Sequence, residues 1–294
     1  MESPRMALRL LAALIALGLL HWQPRLAQWR NDGGFRRWVA QLADTTGAGR
    51  VVLALLLPLL LCALATWLLR HSPFSDLLAL LFALAVLLFC FGPHAFEADL
   101  AAILAAPDGA GREAAAQALG EDGEHVPWQA AALGEAALYT ALRRRFGVLF
   151  WFFLLGPLGA LLYRLACALG HDDTLRLDAV AHTTARQLAN ALDWLPAQLL
   201  VFTLALVGHW DAVIGAWQRW HQQALPNGWL NEGPGFLGAA ARADIQVDIE
   251  GGEGYAEERS DPLLELRRLR GALLRALLAW LSVVALIVIG GWLR

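Results

Sequence analysis

The chain has 294 residues, 58% of them hydrophobic, with 23 basic and 26 acidic side chains and a formal charge of −3. A soluble domain is about 45–50% apolar, so this composition, with a mean hydropathy of +0.48, excludes an ordinary soluble protein and indicates a polytopic membrane chain. Every basic residue is arginine, and no basic tract reads as a nucleic-acid surface.

In chain order, MESPRMALRLLAALIALGLLHW has the charged start and apolar core of a signal peptide. His21, Trp22 and Pro24 stand where a small-residue cleavage site would fall. The expectation is therefore an uncleaved anchor over 6–22. Further apolar runs occupy 50–69, 74–92, 146–163, 194–210 and 272–293. About 20 helical residues cross the hydrocarbon of a bilayer, which makes 194–210 the marginal one. The fold class expected is all-α: a polytopic bundle of 4–6 membrane segments in one domain over 1–294, with a helical cytoplasmic layer at 93–145. Arginine bias places 23–50, 93–145 and 211–271 on the cytoplasmic side. The side occupied by 165–193 stays open. It depends on whether the chain crosses at 146–163 or turns back there.

The layer at 93–145 shows helical phase. Phe96, Leu100, Ile103 and Leu104 form one stripe. Pro127 suits a helix start. From there Trp128, Ala131, Glu135, Leu138 and Leu142 recur on one face. Glu135 is either a carboxylate at the edge of that stripe or one aimed into a site, where burial demands a partner.

FWFFLLGPLGALLYR, at 150–164, carries Gly156, Pro157 and Gly159 in the middle of an apolar run and ends on Tyr163 and Arg164. Proline removes a helical hydrogen bond and glycine loosens the chain. Carbonyls freed inside a bilayer need partners. The run is either a kinked packing helix with Arg164 reaching the interface, or a broken helix facing protein or a polar cavity.

Residues 172–192 read as an amphipathic helix capped by Asp173 or Thr174, with Asp178, His182 and Arg186 along one face. Asp193 precedes Trp194, Leu195 and Pro196, which reads as an N-cap or as an acid at a membrane edge. His209 and Asp211 read as an interfacial pair, and 244–261 as a flexible acidic loop. Cys62, Cys90 and Cys167 lie inside apolar runs without a CxxC, as buried thiols do. The chain contains no phosphate-loop lysine, HExxH or GxSxG. No catalytic residue, metal site or cofactor is assigned.

RRRFGVLFWFFLLGPLGALLYRL (143–165) followed by LDWLPAQLLVFTLALVGHWDAVIGAW (192–217) resembles the AmpE family, within the wider CobD/CbiB family. NEGPGFLGAAARA (231–243) extends the resemblance more weakly. It implies a multi-pass protein of the bacterial inner membrane, a signalling modulator of β-lactamase induction and the response to antibiotic, linked to peptidoglycan recycling. Its alternative implication is a CbiB-type ligase, which joins an aminopropanol phosphate to a corrinoid acid in ATP-dependent amide formation. In those synthases an acidic residue corresponds to Glu135, and the break to Gly156, Pro157, Gly159, Tyr163 and Arg164. Their Asn-Thr-x-Asp segment reads Leu165, Ala166, Cys167, Ala168 here, and the Pro-Ala-Arg of many relatives reads Pro196, Ala197, Gln198. A polar loop corresponds to Asn231. The resemblance favours a regulator over an enzyme.

Together these readings give a ligand pocket near the cytoplasmic face. It is built from Glu135, Gly156, Pro157, Gly159, Tyr163, Arg164, Asp178, His182, Asp193 and Asn231, with Arg164 holding an anionic group and Glu135 or Asp193 balancing it. The partners expected are the lipid bilayer and either an anhydromuropeptide-like ligand or a wall-recycling amidase, with no nucleic acid. Oligomeric state is left open.

Overall fold

The computed structural model describes residues 3–22, 33–71, 74–91, 96–120, 125–172, 174–223, 228–251 and 261–290. Among them every α or strand element is helical. In order these are α1 (Ser3–Trp22), α2 (Gly33–Gln41), α3 (Ala48–Arg70), α4 (Ser75–Cys90) and α5 (Phe96–Ala105). Then come α6 (Gly109–Ala116), α7 (Ala130–Ala141), α8 (Gly147–Leu155), α9 (Pro157–His171) and α10 (Ala179–Val207). The chain closes with α11 (Trp210–Gln223), α12 (Gly228–Glu232), α13 (Gly235–Gly251) and α14 (Pro262–Gly290). Among the described residues three helices are long and apolar enough to cross a membrane, over Ala48–Leu69, Ala179–Val207 and Pro262–Gly290, and two shorter apolar helices cover Met6–Trp22 and Ser75–Cys90.

The chain divides into two compact units. One comprises 1–95, 147–189 and 280–294; the other comprises 96–146 and 190–279. The second unit thus takes in the expected layer at 93–145 almost whole, together with 190–279.

In the first unit, leucines of α9 and small residues of α10 pack on α3. Val51, Ala54, Leu55, Leu165, Leu169, Ala181 and Ala185 are all buried. Arg50, at the first turn of α3, is buried and donates to the carbonyls of Val39 at 3.2 Å and Arg176 at 3.1 Å. The three cysteines are free thiols, all buried.

The run at 146–163 is not one rod. Gly156 has φ +76° and ψ −156°, a backbone conformation that belongs to glycine, and Pro157 opens α9. A Cβ on Gly159 would lie 2.3 Å from the Trp151 carbonyl, and one on Gly147 would lie 2.2 Å from the Tyr163 ring. The pairs 147 with 163 and 151 with 159 run in opposite senses. Helices α8 and α9 therefore form an antiparallel hairpin that turns at Gly156. Pro157 has no N–H to offer the Phe153 carbonyl one turn back. Arg9 of α1 supplies the missing donor: its Nη1 lies 2.7 Å from that oxygen and 3.3 Å from the Leu154 oxygen. A guanidinium answers the requirement that backbone freed at the break be satisfied.

Helix α10 corrects two readings. It starts at Ala179, and the cap is Asp178 rather than Thr174; Asp173 lies outside the described residues. It then continues through Pro196 to Val207, so Asp193 is a mid-helix residue and no N-cap. The Asp178 carboxylate accepts from the Ala181 N–H at 3.0 Å and from the Gly47 N–H at 3.1–3.2 Å, which joins the starts of α10 and α3. Those amides, Ala181 first, hold its pKa below the ordinary 3.8. A depressed carboxylate contributes stability that is complete above the unfolded value and fades as pH falls through the lower folded one. Asp178→Ala is thus expected to destabilise the protein at neutral pH and to flatten its loss of stability below about pH 4, which unfolding curves in detergent measure.

In the second unit α7 and α11 pack on α13 around Leu133, Ala137, Val213, Phe236 and Leu237. Phe96, Leu100 and Ile103 are buried as their stripe requires. Helix α7 begins at Ala130, beyond Pro127. Helix α13 extends to Gly251, so the first part of the expected acidic loop is helical, while 252–260 lie outside the described residues. Leu237, Ala241 and Ile245 are buried at four-residue spacing, and this face carries the helix into the acidic stretch.

Candidate functional site

The second unit gathers polar groups along α7 and the turn that follows it. Glu135, Tyr139 and Arg143 follow at i, i+4 and i+8, one face of a helix. Each meets a group from a distant element. Arg143 lies 2.9 Å from Asp193 of α10; Asp193 is wholly buried and the Arg143 side chain is 11% exposed. The Tyr139 hydroxyl donates to the Pro234 carbonyl at 3.1 Å, and the Arg143 guanidinium sits 5.8 Å from the Tyr139 ring centre, within cation–π reach. Glu135 pairs with Arg242 of α13. Burial first, then the Glu135 charge, pushes the Tyr139 phenol far above its ordinary range, so it stays a donor.

The two ion pairs differ in kind. Arg143–Asp193 is enclosed, where losing one partner is expensive. Glu135–Arg242 is open, with side chains 29% and 52% exposed, and such pairs contribute little to stability. The first is shielded from solvent and the second faces it. Beside the second lies a cleft of about 250 Å³ lined by His125, Pro127, Ala132, Glu135 and Tyr139. The Gln117 side-chain amide fixes its wall by bonding both the N–H and the carbonyl of Val126 at 3.1 Å.

Past α7 the chain widens into a single π turn, Leu142–Phe146. Its three consecutive arginines each find an acid: Arg143 finds Asp193, Arg144 finds Asp99 at 2.6 Å, and Arg145 finds Glu97. Burial lowers the Arg145 pKa to about 10, still cationic at neutral pH. These residues read in the sequence as topogenic charge, but they act as internal ties. Such turns recur at functional sites.

Glycine makes the space. A Cβ on Gly238 would stand 2.1 Å from Glu135 Oε1 and 2.7 Å from its Cδ. Gly238→Ala is expected to cost about 1 kcal/mol and to swing Glu135 off Arg242. Gly271→Ala, where a Cβ meets nothing within 4 Å, should instead be neutral or stabilising by up to about 1 kcal/mol. Thermal unfolding of both variants checks the contrast.

The other sequence candidates have clear places. Gly156, Pro157, Gly159 and Tyr163 come together in the α8–α9 hairpin, with Tyr163 fully buried against Gly147. Arg164 is half-buried on α9, and His182 is half-buried one turn beyond Asp178. All of these belong to the first unit; Glu135, Asp193 and Asn231 belong to the second. Asn231 is exposed on α12. The buried amide of that region is Asn190, which donates to the Leu230 carbonyl at 2.9 Å beside Gly233, a glycine with φ +79°. His209 bonds Asp244, at 3.0 Å, where Asp211 was expected. Gln198 accepts from Trp217 Nε1 at 2.7 Å and lies 3.2 Å from His221 Nε2. His221 Nδ1 lies 2.8 Å from the Trp217 carbonyl; with the proton on Nδ1, Nε2 accepts from Gln198. Tyr139, Arg143, Gly238 and Arg242 were missed in the sequence. The four-residue spacing from Glu135 marks the first two; nothing local marks the others.

Long apolar helices with buried ion pairs define an all-α membrane protein. Over 123 residues the chain is 32% identical to the cobalamin biosynthesis protein CobD of Chromobacterium violaceum. The match covers 41% of this chain and 38% of that relative, well under half its length, and it supports a relationship to the CobD/CbiB family. No protein-family model matches the chain, and no solved structure matches it.

Proposed function

We propose that this protein is an AmpE-like regulator on a CobD/CbiB-type membrane framework. In this reading it binds an anhydromuropeptide-like anionic ligand at the bacterial inner membrane and modulates β-lactamase induction during cell-wall recycling. One observation carries the preference for a regulator. At the position corresponding to the synthases' Asn-Thr-x-Asp segment, Leu165, Ala166 and Cys167 are buried apolar residues with no means of holding a phosphate. Gln198, where many relatives carry arginine, is engaged with Trp217 and His221. The open Glu135–Arg242 pair beside the α7 cleft is the natural place for an anionic group, and Arg164 with Asp178 and His182 is a second cationic and polar set to be tested with it.

The similarity to a cobalamin biosynthesis protein favours a second reading, an amide-forming membrane ligase. A thermal-shift series on the detergent-purified chain separates the two. The regulator reading predicts stabilisation by anhydromuropeptides that is lost in Arg242→Ala or Arg164→Ala, and no amide product from a corrinoid acid, aminopropanol phosphate and ATP. Amide formation by the purified protein contradicts it.

A further inference from the structure

A second cavity of about 250 Å³ lies in the same unit, away from the α7 cleft, between α10, α13 and α14. Its walls are apolar: Leu204 and Val207 from the last turn of α10, Ala241 and Ile245 from α13, and Leu269 and Ala272 from α14. Two acids face it, and both are answered. Glu265, 2% exposed, bonds Arg268 at 2.9 Å, and Asp244 accepts from both the backbone and ring of His209. Arg275 is different. Its Nε makes only a long bond, 3.4 Å to the Gly271 carbonyl of its own helix, and no carboxylate among the described residues pairs with it. The cavity therefore presents one uncompensated cation at the end of an apolar trough.

Its position along two membrane helices identifies the occupant. In α14, Glu265, Arg267, Arg268 and Arg270 precede Arg275, and no charged residue follows through Gly290. Arg275 stands at the boundary between a polar and an apolar half, where headgroups lie. Val207 ends α10, another helix long and apolar enough to span. We propose that this cavity is a binding site for an anionic phospholipid, with the phosphate on Arg275 and the start of an acyl chain along Leu204, Val207 and Leu269. Basic pockets beside membrane helices hold anionic headgroups in this way.

Native mass spectrometry of the full chain in detergent tests it, with phosphatidylglycerol, phosphatidylcholine of the same chains, and glycerol 3-phosphate as probes. Phosphatidylglycerol should be retained about fivefold over phosphatidylcholine, the factor one basic residue near an anionic surface supplies. Arg275→Gln should bring that ratio close to one, and Arg275→Lys should restore most of it. Val207→Phe, which fills the trough from a half-exposed position, should weaken both lipids. Arg275 is exposed, so an unchanged unfolding midpoint is expected for its variants. Equal retention of the two lipids, or a preference that survives both Arg275→Gln and Val207→Phe, overturns the site. Competition by glycerol 3-phosphate equal to that of the lipid overturns the lipid as occupant.

Discussion

Asp193→Leu is expected to lower the unfolding free energy by about 3–5 kcal/mol, the cost of removing one member of a buried ion pair. The carboxylate is wholly enclosed at 2.9 Å from an arginine that is itself 11% exposed. Its loss leaves that guanidinium largely shielded from water, over a phenol that must go on donating to Pro234. Asp193→Asn should cost less, since the amide oxygen still accepts. The double variant Arg143→Met/Asp193→Leu should recover roughly half or more of the loss, because the uncompensated charge goes with its partner. Denaturant unfolding in micelles measures all three. Equal losses for the double and single variants would show that the pair does not act as a unit.

The second large effect lies at the break. Gly156→Ala forces a side chain into a glycine-only conformation, at about 1–3 kcal/mol, and sets its Cβ 3.1 Å from the Arg9 guanidinium. Arg9→Leu acts from the other side: it leaves the Phe153 carbonyl without its donor at 2.7 Å. A buried group stripped of its partner costs about 1–3 kcal/mol, and the penalty rises in hydrocarbon. The two changes share one contact, so their effects should fall short of additivity. An additive pair in the same unfolding assay would separate Arg9 from the break.

Much of this was legible in the residues, and the rest was not for definite reasons. Apolar length gave away α1, α3, α4 and α14, since bilayer thickness fixes what a spanning segment must be. Gly156 and Pro157 announced an interruption. They could not say whether the chain bends or reverses, because the donor that settles it, Arg9, lies 144 residues away. Asp193 looked like a cap because Pro196 follows at helix-start spacing. In the fold α10 absorbs the proline and uses the acid for Arg143. Counting arginines by loop assigned Arg143 to topology, whereas helical phase with Glu135 would have joined them. The pairing of Glu135 with Arg242 spans 107 residues and leaves no local trace. The acidic stretch after Asp244 looked like loop on composition, although its buried face keeps helical spacing.

The reversal at Gly156 decides whether 146–163 crosses the membrane or turns within it. Paired cysteines at Phe150 and Leu161, in a chain whose Cys62, Cys90 and Cys167 are alanine, report on it directly. On opposite arms of a hairpin, residues 150 and 161 lie at helix-packing distance, about 8–10 Å, and a short bismaleimide should join them in high yield. On a continuous helix they are about 16 Å apart, and failure of that reagent to join them would contradict the hairpin.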